Sequence, residues 1–140
     1  MLYPKRTKFR KYQKGRIGGI QPNTTQQLQL GKYGLKTLKA GLINAKTIEA
    51  VRRTMTRKFK RSGKIWIKIF PDISVTAKPT EVRMGKGKGA PSYWICRVEA
   101  GEILFEMDGI PLQLAKQAAM LAHHKLPIPT KFIQTQQPEI

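Results

Sequence analysis

Charge is spread so unevenly along this chain that it limits what the first half can become. Residues 1 to 64 hold 18 Lys/Arg against a single acid, Glu49, a balance of +17, whereas residues 65 to 140 hold 9 against 7. An excess of that size repels itself in a compact state, so it implies a polyanionic partner that neutralises it. The first half makes the long-range field and the second makes most of the core. With 140 residues, 40% of them hydrophobic, the chain is long enough for one modest core and therefore one domain. Nucleic acid suits the field better than a membrane does: no amphipathic basic helix with aromatic anchors opens the chain, and no apolar run approaches the roughly 18 residues of a span.

The first sixteen residues carry Lys5, Arg6, Lys8, Arg10, Lys11, Lys14 and Arg16, with Tyr3, Phe9 and Tyr12 between them. Like charges at this density cannot pack on one another, so the free segment is expected to be disordered or loosely extended and to order on RNA. Arginine forks onto phosphate or stacks on a base, and the aromatic rings stack or dock. A basic start without acids also suits a transit peptide, but Pro4, the density of cations and the scarcity of Ser and Ala favour a working RNA-binding arm. The reading is a basic arm over residues 1–16 and a single α+β domain over 17–140.

A second cationic feature lies between Lys78 and Pro91, K-P-T-E-V-R-M-G-K-G-K-G-A-P. Gly85, Gly87 and Gly89 alternate with Lys86 and Lys88, just after Arg83 and Met84. The spacing matches neither a mononucleotide loop nor a dinucleotide fingerprint, and a strand follows in place of a helix. A mobile cationic finger suited to a polyanion backbone remains. Taken alone, the loop is equally an ordinary solvated hairpin tip.

Between these, Asn44 reads as an N-cap and Ala45 to Arg61 as a helix ending near Ser62 and Gly63. Ile48, Val51, Met55 and Phe59 form one apolar stripe. Lys46, Arg53, Arg57, Lys60 and Arg61 fall opposite, within an arc of about 100°. Glu49 is the only acid on this helix, where an ordinary solvated face would mix signs, so the basic face is assigned to RNA.

The remaining elements are coarser. Gln26 to Leu30 reads as a short strand, as does Lys32 to Leu38. Lys64 to Phe70 alternates with large apolar residues on both faces, which predicts a central strand stopped by Pro71. Ile73 to Ala77 is extended and leads to the finger. Tyr93 to Glu99 and Ile103 to Met107 are read as a hairpin across Ala100-Gly101-Glu102. Its acids, Glu99, Glu102, Glu106 and Asp108, are assigned to a solvated rim or to pairing with the protein's own lysines, in preference to acid–base or metal chemistry. Pro111 opens a second helix whose inner face is Leu114, Ala115, Ala118, Leu121 and Ala122, with His123 and His124 in its last turn as surface or RNA-facing groups. Lys131 to Gln134 is a last strand and Gln136 to Ile140 a frayed tail. Cys96 is alone and reads as a small buried hydrophobe.

These elements make an α+β domain: a mostly antiparallel sheet, two helices on it, a basic arm and a Gly/Lys loop. No nucleophile with a base, metal set or nucleotide cradle is recognisable, so no cofactor, metal or small-molecule substrate is expected. The residues alone indicate an RNA-binding structural protein. Two rivals are an assembly or regulatory factor that binds RNA transiently and an enzyme acting on RNA or a phosphoryl group through Lys86 and Lys88.

The sequence also resembles the bacterial-type large-subunit ribosomal protein sixteen family, which includes the archaeal and eukaryotic ten-e counterpart. The matching stretches are M-L-Y-P-K-R-T-K-F-R-K (Met1 to Lys11), I-E-A-V-R-R-T-M-T-R (Ile48 to Arg57), G-K-I-W-I-K-I-F-P-D (Gly63 to Asp72), K-P-T-E-V-R-M-G-K-G-K-G (Lys78 to Gly89) and I-L-F-E-M-D-G (Ile103 to Gly109). The resemblance implies an α/β-hammerhead-like fold bound to large-subunit ribosomal RNA near the aminoacyl-tRNA site. It places Arg83, Met84, Gly85, Lys86, Gly87, Lys88 and Gly89 in a loop close to tRNA and the peptidyl transferase centre. The arm and the basic helix face would hold ribosomal RNA. Its other expected partners are tRNA and neighbouring large-subunit proteins, with no membrane partner. Two stretches depart from the family pattern, Gln21 to Leu30 and Gln134 to Ile140. The Lys, Ile and Asn usage resembles an organellar version, with the mitochondrial matrix favoured over a plastid or the bacterial cytoplasm.

Overall fold

A computed structural model describes residues 1–17 and 26–135. The described elements run β1 (Tyr33–Thr37), β2 (Gly41–Asn44), α1 (Ala45–Lys58), β3 (Lys64–Ile67), β4 (Ile73–Ala77), β5 (Ala90–Val98), β6 (Ile103–Asp108), α2 (Leu112–Lys125) and β7 (Thr130–Gln134). The class is α+β, and every strand pair is antiparallel. The strands divide into two sheets where the sequence suggested one, a four-stranded sheet in the order β3-β6-β1-β7 and a three-stranded sheet in the order β2-β5-β4.

That division overturns the expected hairpin. β5 and β6 follow one another in sequence but belong to different sheets, because β2 and β4 flank β5 while β3 and β1 flank β6. The intervening turn is tied to the end of β1 instead: the Thr37 hydroxyl donates to the Glu99 carbonyl at 2.6 Å, and Gly101 N–H donates to the Thr37 carbonyl at 2.8 Å. Thr37 is 1% exposed, so these bonds satisfy a hydroxyl with no access to water. The strand of Lys64 to Phe70 is likewise shorter than expected, ends at Ile67 and lies at a sheet edge. Its two apolar faces have different causes. Ile65 and Ile67 pack on the core, whereas Trp66 lies on the opposite face.

The core is built from the inner faces of β1, β2, β5 and β6 and from both helices, with Phe105, Leu104, Met107 and Val98 at 0% exposure. Full burial of one such side chain is worth about 1.5–3 kcal/mol. Helix α1 contributes Ile48, Val51 and Met55, the anticipated stripe, with Phe59 at the C-cap. Helix α2 buries Ala115, Ala118, Ala119 and Ala122 and packs against α1. Leu121, expected on that inner face, is 40% exposed, and Ala119 takes its place. The i, i+3, i+4, i+7 spacing of these alanines gives a smooth face, which lets two helices approach closely.

The segment before β1 is held by a buried acid. Gln26 to Leu30 does not form a strand; its backbone N–H groups turn inward to Glu106. Leu30 N–H and Gly31 N–H donate to Oε2 at 2.6 and 2.9 Å, Gln29 N–H lies 3.3 Å from both oxygens, and Lys68 Nζ is 3.9 Å from Oε1. Glu106 is 0% exposed, so of the two roles expected of these acids it takes the pairing with a lysine, Lys68, and not the rim; it also supplies the acceptor that this non-strand backbone lacks. Glu102 and Asp108 serve their own turns, accepting from Glu99 N–H at 2.9 Å and Gly109 N–H at 2.7 Å. The expected tail, Gln136 to Ile140, lies outside the described residues.

Candidate nucleic-acid interface

The cations gather on the outside of this frame in three places. The first is the arm. Lys5, Arg6, Lys8, Arg10, Lys11, Lys14 and Arg16 are all exposed, as are Tyr3, Phe9 and Tyr12, and Lys8 Nζ sits 5.6 Å from the centre of the Phe9 ring. The segment is extended, yet it is not loose. Ser74 on β4 donates its hydroxyl to the Arg10 carbonyl at 2.8 Å. Arg97 on β5 donates through Nε to the Lys14 carbonyl at 2.9 Å and through Nη2 to the Gln13 carbonyl at 2.7 Å. These contacts use the arm's backbone acceptors and leave its basic side chains exposed. Sequence reading missed Ser74 and Arg97 because their partners lie 64 and more than 80 residues away.

The finger is the second place. It joins β4 to β5, and residues 78 to 88 are exposed throughout, with Met84 fully so. Gly85, Lys86 and Gly87 have φ of +94°, +60° and +92°. Two of those positions suit glycine alone, and the third costs a lysine about 1–2 kcal/mol of backbone strain. At the base, a Cβ on Gly89 would lie 2.6 Å from the Ala77 carbonyl oxygen, so only glycine lets the two limbs close. Lys78 Nζ spans the loop to the Gly85 carbonyl at 2.5 Å. Lys86 and Lys88 then differ. Lys88 Nζ donates to the Tyr12 carbonyl at 2.6 Å while its own carbonyl accepts from Lys11 Nζ at 3.1 Å, a reciprocal pair tying finger to arm. Lys86 and Arg83 lie in the exposed loop beyond that tie.

The third place is the outer side of α1. Asn44 caps the helix, its Oδ1 accepting from Lys46 N–H at 3.0 Å. The helix ends at Lys58, short of the expected Arg61, with Phe59 as its C-cap. Lys60 and Arg61 are left-handed, with φ of +52° and +65°, and Gly63 completes the turn. Arg53, Arg57, Lys60 and Arg61 nonetheless converge with Arg52 and Thr56 around a shallow depression. Lys46 stands apart, about 10 Å along the axis from Arg53. Arg52 belongs to this group although its angular position on a helical wheel lies outside the predicted arc. Glu49 accepts from Arg52 at 2.5 and 3.0 Å and from Arg53 at 3.1 Å. The Arg52 hydrogen bonds, reinforced by Arg53, hold the Glu49 carboxyl at about 2 against the opposing effect of burial.

Other residues weighed for chemistry are accounted for locally. Cys96 is buried, which pushes its thiol up to about 11 and makes it a packing residue. His123 is exposed and accepts from Thr130 N–H through Nδ1 at 3.3 Å, fastening β7 to the end of α2. Among the described residues no group of three His, Cys, Asp or Glu is placed to hold a metal ion, and no helix is long and apolar enough to cross a membrane.

This packed α+β protein presents cations from arm, finger and helix strip, a surface suited to a polyanion. The sequence comparisons then assign it: residues 4–133 match the model of the ribosomal protein L16p/L10e family, and the chain belongs to that family. It is 65% identical over 133 residues to the large ribosomal subunit protein uL16m of Prototheca wickerhamii, covering 95% of this chain and 98% of that one. It is 58% identical over 134 residues to the uL16m of Marchantia polymorpha, covering 96% and 98%. Identity is also 58% over 134 residues with the large ribosomal subunit protein uL16 of Azorhizobium caulinodans, covering 96% and 97%. As a ribosomal protein the chain is a structural component and not an enzyme.

Proposed function

We propose that this protein is a structural constituent of the large ribosomal subunit, in an organellar and specifically mitochondrial form, whose partners are ribosomal RNA and neighbouring ribosomal proteins. The arm and the Arg53, Arg57, Lys60, Arg61 strip hold ribosomal RNA, and the finger reaches toward tRNA at the aminoacyl-tRNA site. The observation that carries this reading is the shared surface of arm and finger. Ser74, Lys88 and Arg97 take the arm's carbonyls, so the basic side chains of the arm lie outward beside a loop whose tip is wholly exposed. A polyanion laid on that surface meets a preformed array, which lowers the ordering cost of binding.

The two roles separate experimentally. Large subunits carrying Arg83→Ala and Lys86→Ala are isolated by sedimentation and assayed for tRNA binding at the aminoacyl site. Normal incorporation with weakened tRNA binding supports the assignment of the finger. Normal incorporation with unchanged tRNA binding removes it, and failed incorporation makes the finger an assembly element.

A further inference from the structure

The edge strand β3 carries an unused feature. Lys64 and Trp66 lie on the sheet face away from the core, opposite Asp108 and Glu106 respectively in the register with β6. Glu106 is covered by the backbone of Gln29 to Gly31, whereas Asp108 at the strand end is not. Gly63, Lys64, Trp66, Asp108 and Gly109 line an open cleft of about 510 Å³, ample for one nucleobase. One wall is bare backbone for a steric reason. Gly63 has φ of +71°, and a Cβ there would stand 2.6 Å from the Asp108 carbonyl oxygen. Trp66 is partly exposed, and among the described residues neither Lys64 nor Asp108 takes part in an ion pair. Asp108 uses Oδ1 for its neighbour's N–H, which leaves Oδ2 to accept. Gly63 also borders a depression lined by Arg52 and Arg61, so the cleft opens where the cationic strip ends.

We infer that this cleft is a binding site for a single unpaired guanine of an RNA strand whose phosphates lie on the α1 strip. The indole of Trp66 is the stacking surface, as aromatic side chains are for splayed bases. Guanine presents N1–H and N2–H donors beside the O6 acceptor, which complements a carboxylate beside an ammonium. Adenine presents an acceptor at N1 to the same carboxylate and is disfavoured. The inference rests on the RNA-binding reading of the strip, and its failure is distinguishable from the failure of that reading.

The full-length protein is titrated with a fluorescent oligouridine carrying one central guanosine, with the all-uridine strand, and with strands carrying adenosine or inosine at that position. The guanosine strand is expected to bind about tenfold tighter than the all-uridine strand, inosine falling between because it lacks the N2 donor. Asp108→Asn removes a negative charge from the surface, so electrostatics alone would tighten every strand. Loss of the guanosine preference in this variant supports the site; tighter binding with the preference intact overturns it. Trp66→Leu should lower guanosine-strand affinity about tenfold while Trp66→Phe retains most of it, with thermal melting confirming that each variant is folded. Equal salt-dependent binding of all four strands refutes the cleft and leaves the strip standing, whereas absence of binding to any strand refutes both.

Discussion

Replacing Glu49 with Gln removes the one acid of α1 and keeps its shape. The substitution has two effects of opposite sign. It breaks the bonds to Arg52 and Arg53, whose side chains are 39% and 67% exposed, so solvent screening limits the loss of stability to about 0.5–1 kcal/mol, or about 2–4 °C in Tm. It also frees two guanidinium groups beside Arg57 and Arg61, where a phosphate backbone is expected. Each additional phosphate neutralised on single-stranded RNA steepens the dependence of log K on log salt by about 0.7, so one or two more phosphates give about 0.7–1.4. A fourfold rise in salt should then erode the variant's advantage by about 2.6-fold for each of those phosphates. The assay is fluorescence anisotropy over a salt series, paired with thermal melting. A less stable protein that binds RNA more tightly at low salt is the predicted result. A melting shift of that size with an unchanged slope and affinity would refute the placement of RNA on α1, and weaker binding would mean that Glu49 orients the arginines for their ligand.

Further predictions concern the same surfaces. Neutralising Arg53, Arg57 and Arg61 to Gln together should flatten the salt slope by about 0.7 for every phosphate no longer neutralised, while the melting temperature changes little; an unchanged slope would place the strip in solvent. Lys88→Ala should make the arm more susceptible to limited trypsin digestion at Arg10 and Lys11, because the bond to the Tyr12 carbonyl is removed, whereas Lys86→Ala should leave the digestion pattern as it is. Glu106→Ala should cost about 1–3 kcal/mol in denaturant unfolding, since Leu30 and Gly31 lose a charged acceptor for two part-buried N–H groups; a loss under about 0.5 kcal/mol would mean that water or a shifted loop replaces the carboxylate. Acid titration should reveal Glu49: its carboxyl is depressed from an ordinary 4.5 to about 2, so its stabilisation is complete above about 4.5 and is lost as pH falls through about 2. In Glu49→Gln that part of the acid-unfolding curve should be absent.

What could be read from the sequence was what local chemistry decides. Asn44 before an apolar stripe determined the start of α1, and Ile73 to Ala77 ahead of the finger kept the bounds the sequence suggested, whereas the strand read up to Pro71 ends at Ile67. Reading failed where a residue's partner lies far along the chain. The turn at Ala100 to Glu102 looks like a hairpin turn, but strand pairing is a property of edges, and the edges of β5 and β6 were already taken by β2, β4, β1 and β3. Glu106 could not be told from a rim acid because alternation says which face a residue occupies, not whether a loop covers it. The arm looked loose because its bonds run from Ser74, Lys88 and Arg97 to backbone carbonyls, which no side-chain pattern encodes. Leu121 yielded to Ala119 because close helix packing rewards small residues and not the most apolar ones.

The candidate interface was more legible than the fold that positions it. Exposed lysines and arginines need no long-range partner to be counted, and twelve cations of the arm and α1 region expected at the surface are exposed. Their unequal roles emerge only in three dimensions. Lys88 is a strut as well as a charge, Lys46 stands apart from the strip, and Arg52 joins it.

The central claim is that these surfaces make the protein a permanent part of the large subunit. Its most direct test is sedimentation of the tagged protein from lysate at low and at high salt, with the ratio of protein to large subunit measured in each fraction. Close to one copy per subunit that survives high salt is the predicted result, because an array docked at three places is not stripped by counterion competition at any one of them. A substoichiometric pool that leaves as salt rises would contradict the account and identify a transient RNA-binding assembly factor.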